Sequence, residues 1–267
     1  MTYTQPDLRS QYGAWLWYVL LLLACCLPLS ALCATSSPSV RLCVSEFPPY
    51  NSVALPDNGA VVKIATEAFR RSGYEVQIVF LPWTRVIMEA ERGECGILGL
   101  WRNSTRDVVY IYSHPIASME LGLFGRVGVT HDLGQSSSLQ SLVIGVERGS
   151  YISPILENKK LRFEPTVDLV GSLRMLAKGR VDLTFGARVA GEYIINRPLG
   201  TGDELKNQVE WKTPALETKD FFLASNKTHK QQSQLLHAFN QGLASTKVDG
   251  MYRKLLQAVG LHISALP

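Results

Sequence analysis

Four loops of this 267-residue chain carry side chains able to do chemistry. They are Glu46–Tyr50, Trp101–Arg106, Arg148–Tyr151 and Gly186–Arg188, and each follows a segment that reads as a strand. Their arginines present a planar fork of donors that fits a carboxylate two bonds at a time. Two acids, Glu46 in the first loop and Glu147 just before the third, could hold a ligand cation or act as a general acid. Their aromatic rings are what the wall of a small-solute cleft needs. Patterns for other chemistry are missing. There is no nucleophile elbow, no Ser/His/Asp order, no phosphate-cradling glycine loop, and no CxxC or HxxxH pair to hold a metal, so no cofactor is expected.

The elements that position these loops alternate. Val40–Ser45 reads as a strand. Val61–Arg71 has the apolar spacing of an amphipathic helix closed by Gly73. Val76–Leu81 is a strand, Thr84 caps a second helix running to Arg92, and Gly96–Leu100 is a strand again. A second series follows: strand 142–146, a short helix from Tyr151, strand 161–164, a helix marked by Leu169, Leu173 and Leu176, strand 181–185 and helix 189–195. The apolar segments 116–129 and 211–216 cross between the two series. Phe221–Ala224 is a late strand, and helices 233–243 and 251–259 close the chain. This β-α-β rhythm implies an α/β fold with parallel sheets and right-handed crossovers. In such sheets ligands bind beyond the carboxyl ends of the strands, where the four loops lie.

Composition narrows the setting. A net charge of +4, spread without blocks, argues against a nucleic-acid partner. Arg9, the apolar run from Ala14 to Leu32, small residues at Ala31, Cys33 and Ala34, and a polar stretch then form the layout of a secretory signal peptide over residues 1–34. A retained membrane anchor is the competing explanation, which Pro28 disfavours by dividing the run. A lipoprotein route through Leu22-Leu23-Ala24-Cys25 is weak. Cys43 and Cys95 would be the cysteines left after cleavage. They could pair in an oxidising compartment or pack as buried thiols, and the sequence leaves both open.

The chain resembles the periplasmic solute-binding proteins of the amino-acid-binding family (family 3), which have the two-lobed type II periplasmic binding protein fold. The motifs are Phe47-Pro48-Pro49-Tyr50, Pro82-Trp83-Thr84-Arg85, Gly93-Glu94-Cys95, Thr105-Arg106 before Tyr112-Ser113-His114-Pro115, Ile144-Gly145-Val146 with Gly149-Ser150, and Gly179-Arg180-Val181-Asp182. The resemblance implies a first lobe of residues 35–121 and 220–267, a second of 122–219, two hinge segments, and closure on a ligand. It implies that Arg106 grips a ligand carboxylate, with Gly149 and Ser150 offering backbone N–H groups to an anion. Tyr50, Trp101 and Tyr151 belong with the ligand-binding residues, and Trp83 with the core.

One departure qualifies the ligand. Where amino-acid-binding members usually place an Asp for the ligand ammonium, this chain has Ala187, followed by Arg188. Glu46 or Glu147 could supply the negative charge instead, and Arg102, Arg106, Arg148 and Arg188 together favour a carboxylate-bearing solute. The expectation is a monomeric, non-catalytic binding protein of the periplasm, serving an ABC permease or a sensor. The alternatives are a lyase on the same fold, similar to the cyclohexadienyl dehydratases, with Glu46 or Glu147 as its acid, and an interaction domain without a ligand.

Overall fold

A computed structural model describes residues 37–131, 141–157, 161–196, 205–228 and 231–259. The proposed leader, residues 1–34, lies outside them. No helix among the described residues is long and apolar enough to cross a membrane.

The first half of the chain folds as its periodicity predicts. Strands β1 (Ser39–Val44), β2 (Glu75–Phe80) and β3 (Gly96–Trp101) alternate with helices α1 (Ala60–Arg71) and α2 (Trp83–Glu91). They form a parallel sheet in the order β2-β1-β3. The apolar stripe of α1, including Val61, Ile64, Ala65, Ala68 and Phe69, is buried. Burial of each large apolar side chain stabilises the fold by roughly 1.5–3 kcal/mol. Helix α1 packs on the C-terminal helix α7 (Gln232–Val248), where Gly242 permits the contact: a Cβ there would lie 1.8 Å from the Ala68 carbonyl oxygen.

The register of β1 against β3 pairs Leu42 with Gly96 and Cys43 with Ile97, which brings Cys95 alongside Cys43. The two are joined by a disulfide with a Cα separation of 5.8 Å. Of the two alternatives the sequence left open, the structure has the bridge.

The start of α2 differs from expectation. Thr84 is not its cap. The carbonyl of Pro82 already accepts from Arg85 and Val86, so the helix begins at Trp83 and Thr84 lies inside its first turn. Short helix α3 (Ser104–Val109) follows β3, capped by the Asn103 side chain.

The second half repeats the pattern. Strands β6 (Val143–Glu147), β7 (Arg162–Thr166) and β8 (Leu183–Ala187) alternate with helices α4 (Pro154–Glu157), α5 (Leu169–Ala177) and α6 (Arg188–Asn196), while α8 (Met251–Ala258) ends the described chain. Strand β6 pairs in parallel with β7 and β8. Strand β8 begins and ends two residues later than its apolar run predicts, so Ala187 is the last strand residue, not a loop residue.

Two long strands join the halves. Strand β5 (Ala117–Arg126) pairs with β8 on one side and β9 on the other. Strand β9 runs continuously over Val209–Asn226, where the sequence shows two apolar pieces. Its polar middle, Glu217–Asp220, is held by backbone pairing with β5, which an apolar pattern does not reveal. Beyond it, β9 pairs with β3 and with β4 (Tyr110–Tyr112). The sheet order is β2-β1-β3-β9-β5-β8-β6-β7, with β4 beside β9.

Candidate functional site

The carboxyl ends of β1, β3, β6 and β8 converge on one cleft. On the first side stand Phe47, Asn51 and Trp101, and on the second Glu147, Ser150 and Ala187. Two cavities of about 30 Å³ each lie between them. A third, of about 310 Å³, continues along Glu46, Trp83, Glu147 and Asp168. The smaller two have room for no more than a water or two each.

Local structure explains how the first wall is built. After β1 the chain turns through Phe47–Tyr50 and closes on itself with a bridge between Phe47 and Asn51. The Phe47 ring then meets Tyr50 at 5.1 Å, Trp101 at 5.7 Å and Phe221 at 5.9 Å between centroids. Gly99 makes room for this cluster. Its φ is +102°, its neighbours shift register against β9, and a Cβ there would lie 2.1 Å from the Phe221 ring.

Arg106 sits at the junction of the two walls. The Asn103 cap fixes its backbone N–H at 2.8 Å. Its guanidinium donates to the Trp101 carbonyl at 2.8 Å and, across the cleft, to the Gly149 carbonyl at 3.2 Å. It also lies over the Trp83 ring, 5.6 Å from the centroid. Among the described residues no carboxylate pairs with it, and burial holds its pKa below the usual arginine range. Two of its five donors are thus spent, and the rest have no partner among the described residues. Trp83 is buried, as expected, but it also reaches across: its indole N–H donates to the same Gly149 carbonyl at 2.9 Å.

The second wall carries Glu147 at the end of β6. Burial, with Asp168 adding to it, raises its carboxyl to about 8. No hydrogen bond or ion pair reaches that carboxyl among the described residues. Gly149 turns with φ +73°, and the Ser150 N–H closes the turn onto the Glu147 carbonyl. Tyr151 is buried against Trp101 at 6.3 Å. Its hydroxyl donates to the Glu217 carboxylate of β9 at 3.0 Å, and Lys219 lies over its ring.

The structure therefore brings Arg106, Trp101, Gly149, Ser150 and Tyr151 together. Tyr50 is fully buried beneath Phe47, with its hydroxyl unpartnered and its pKa pushed far up by burial. Glu46 lines the outer cavity, where its carboxylate accepts from the Val53 N–H. Arg102 and Arg188 face other partners. Arg102 binds Asp107 through two bonds of 3.1 Å and lies over Tyr112. Arg188 bridges Glu120 and Glu192 at 3.0 and 2.9 Å. Sequence reasoning passed over Phe47 as a ring, Asn51, Gly99 and Phe221. The Phe-Pro-Pro-Tyr turn was the available signal for the first two. Phe221 reaches the cleft through pairing 120 residues distant, for which no local signal exists. Among the described residues one cluster has metal-ligand types, Cys43, Cys95 and Glu89, and its two sulfurs are already bonded to each other.

Comparisons with known proteins agree with this geometry. A sequence model of the bacterial extracellular solute-binding proteins, family 3, matches residues 40–260. No curated protein sequence matches the chain. Among solved structures, a P235GK mutant of ArgBP from T. maritima is similar with a TM-score of 0.70 at 18% identity, covering 83% of this chain and 95% of that one. A histidine kinase sensor domain described as similar to periplasmic binding proteins gives 0.70 at 19% identity, covering 82% and 95%. The substrate-binding protein AbpA from Streptococcus pneumoniae, bound to L-arginine, gives 0.69 at 14% identity, covering 84% and 95%. The fold is thus the two-lobed periplasmic binding protein fold.

Proposed function

We infer, for a chain that belongs to the family 3 bacterial extracellular solute-binding proteins, a clamp that closes on a small carboxylate-bearing solute held by Arg106. The observation that carries this reading is Arg106 itself: a half-buried guanidinium at the mouth of both lobes, with donors left over and, among the described residues, no carboxylate to neutralise it. Burying an unpaired charge is costly, and a ligand anion offsets that cost. Arg102 and Arg188 have acids of their own, so one carboxylate suits the site better than several.

The first lobe comprises residues 35–121 and 220–267 and the second 122–219, with β5 and β9 as hinge segments. The small inner cavities require the lobes to part before a solute enters, and Trp83 and Arg106 both let go of Gly149 when they do. The protein is exported by its leader to the periplasm, acts as a monomer without catalysis, and hands its solute to an ABC permease or reports it to a sensor. Relatives of both kinds share the fold. Native mass spectrometry of the protein purified from periplasm tests this. A retained organic acid is expected, and a retained neutral sugar or bare cation would overturn it.

One observation favours a second reading, a lyase on the same fold. Glu147 keeps its proton near neutrality inside the cleft, as a general acid must. Turnover of prephenate or arogenate, lost in Glu147→Gln, would establish it.

A further inference from the structure

We propose that reduction of the Cys43–Cys95 bridge turns its two sulfurs and the Glu89 carboxylate into a binding site for Zn²⁺, apart from the cleft. Neither cysteine lines the cleft cavities, so the site and its test stand whatever the cleft binds.

Three ligand atoms are already assembled. The two Sγ atoms and one carboxylate oxygen of Glu89 all lie within 4.8 Å of one another, on three buried residues. Packing of α2 on β1 and β3 makes the cluster, from residues 46 and 52 positions apart. No short ligand-spacing motif along the chain would show it. Glu89 Oε2 stands 3.7 Å from Cys43 Sγ. In a tetrahedral zinc site a sulfur and an oxygen ligand are roughly 3.5 Å apart, and two sulfurs roughly 3.8 Å. The first edge is in place, and two sulfurs released from their bond settle at van der Waals contact, close to the second.

The surroundings suit a buried cation. Arg41 pairs with Glu89 at 2.8 Å and lies 3.8 Å from Cys43 Sγ, while Arg85 donates to the other carboxylate oxygen at 3.4 Å. Such bonds orient a ligating carboxylate. Two thiolates and one carboxylate, set against Zn²⁺ and Arg41, leave the cluster neutral, as burial demands. A cavity of about 240 Å³ is lined by Cys95, Arg41 and Glu94, which gives the ion a way in and room for a water as fourth ligand.

Bridge and metal exclude each other, because both use the same sulfurs. A dithiol delivers two electrons and two protons to the bridge and leaves as a disulfide, so the bridge becomes two thiols. Zn²⁺ then displaces both thiol protons to solvent and takes the two thiolates with the carboxylate.

Co²⁺ tests this, since it reports thiolate ligation by charge-transfer absorption and tetrahedral geometry by intense d–d bands. The protein purified from periplasm is reduced with a dithiol, freed of it without air, and titrated with Co²⁺ and then Zn²⁺ beside the oxidised protein. One Co²⁺ per reduced chain is expected, displaced by Zn²⁺, with the near-ultraviolet circular dichroism of the folded protein retained. The oxidised protein should bind at least a hundredfold more weakly. Glu89→Gln keeps both sulfurs and should weaken binding at least tenfold, whereas Glu94→Gln, on the same cavity, should leave it unchanged. Cys95→Ser keeps Glu89, its arginines and any leader cysteine, and should weaken binding at least a hundredfold. Absence of charge transfer at one equivalent, a metal complex without the folded spectrum, or affinity undiminished by Glu89→Gln or by Cys95→Ser overturns the proposal.

Discussion

The wall of the cleft supplied by β1 and β3 is an interlocked aromatic cluster, with a disulfide joining its strands, whereas the wall supplied by β6 and β8 mixes Ser150, Gly186 and Ala187 with Tyr151 and Phe185 and carries one acid, Glu147, without a partner among the described residues. The first wall is built to hold its shape. Rings of Phe47, Trp101 and Phe221 fix one another, and the Asn103 cap fixes Arg106. Among the described residues the second wall meets that frame through the Gly149 carbonyl, which accepts from two side chains, and through the Tyr151 ring against Trp101. On the proposed clamp, this contrast assigns selectivity to the first wall and motion to the second. A rigid wall preorganises recognition, and a lightly attached wall can swing away from it.

The largest expected effect on this contrast comes from the disulfide. Replacing Cys43 and Cys95 by Ser frees a loop of 52 residues and should lower stability by about 4 kcal/mol on the chain-entropy account. Thermal unfolding checks it. Ligand affinity of the folded fraction should hardly change, because neither cysteine lines the cleft cavities.

Gly99→Ala attacks the same wall from inside. It forces a side chain into positive φ and against the Phe221 ring, and should cost roughly 3 kcal/mol. Unlike the cysteine changes, it should also weaken ligand binding, since Phe221 lines the cavity.

The second wall is expected to respond to pH instead. The Glu147 carboxyl has its pKa raised in the folded state from 4.5 to about 8, so the folded protein binds the extra proton between those values. Its contribution to stability is complete below about pH 4.5 and is lost as pH rises through about 8. The loss is on the order of 2 kcal/mol once solvent access to the cleft is allowed for. Denaturant unfolding at pH 5 and pH 8.5 should show it, and Glu147→Gln should flatten it.

Trp83→Phe is the mildest test. It keeps the packed ring and removes one of two donors to the Gly149 carbonyl, at a cost of about 1 kcal/mol. Small-angle scattering should then show a larger open fraction without ligand.

The fold was legible because period-2 and period-3.6 patterns alternate cleanly in both halves. Helix α1 is the plainest case, with its apolar stripe and its Gly73 stop. Legibility failed where backbone pairing replaces pattern. The Glu217–Asp220 stretch of β9 is polar and is a strand because β5 offers it hydrogen bonds. The convergence of the Arg106 and Gly149-Ser150 loops on one cleft was legible, because both follow strands, but the Ser150 N–H proves to be bonded to the Glu147 carbonyl rather than left for an anion. The separation of Arg106 from Arg102 and Arg188 was not legible. It depends on which arginine finds Asp107, Glu120 or Glu192 within reach, and spacing along the chain does not give that.

The central claim is that Arg106 holds a ligand carboxylate between the lobes, and titration calorimetry on Arg106→Ala, with 4-aminobutanoate and butanoate as ligands, tests it most directly. At least a hundredfold loss is expected for both ligands, as for removal of a charge-assisted pair of hydrogen bonds, with Arg106→Lys recovering only part of it. Affinity within threefold of the unsubstituted protein, in a variant that still folds, would contradict it.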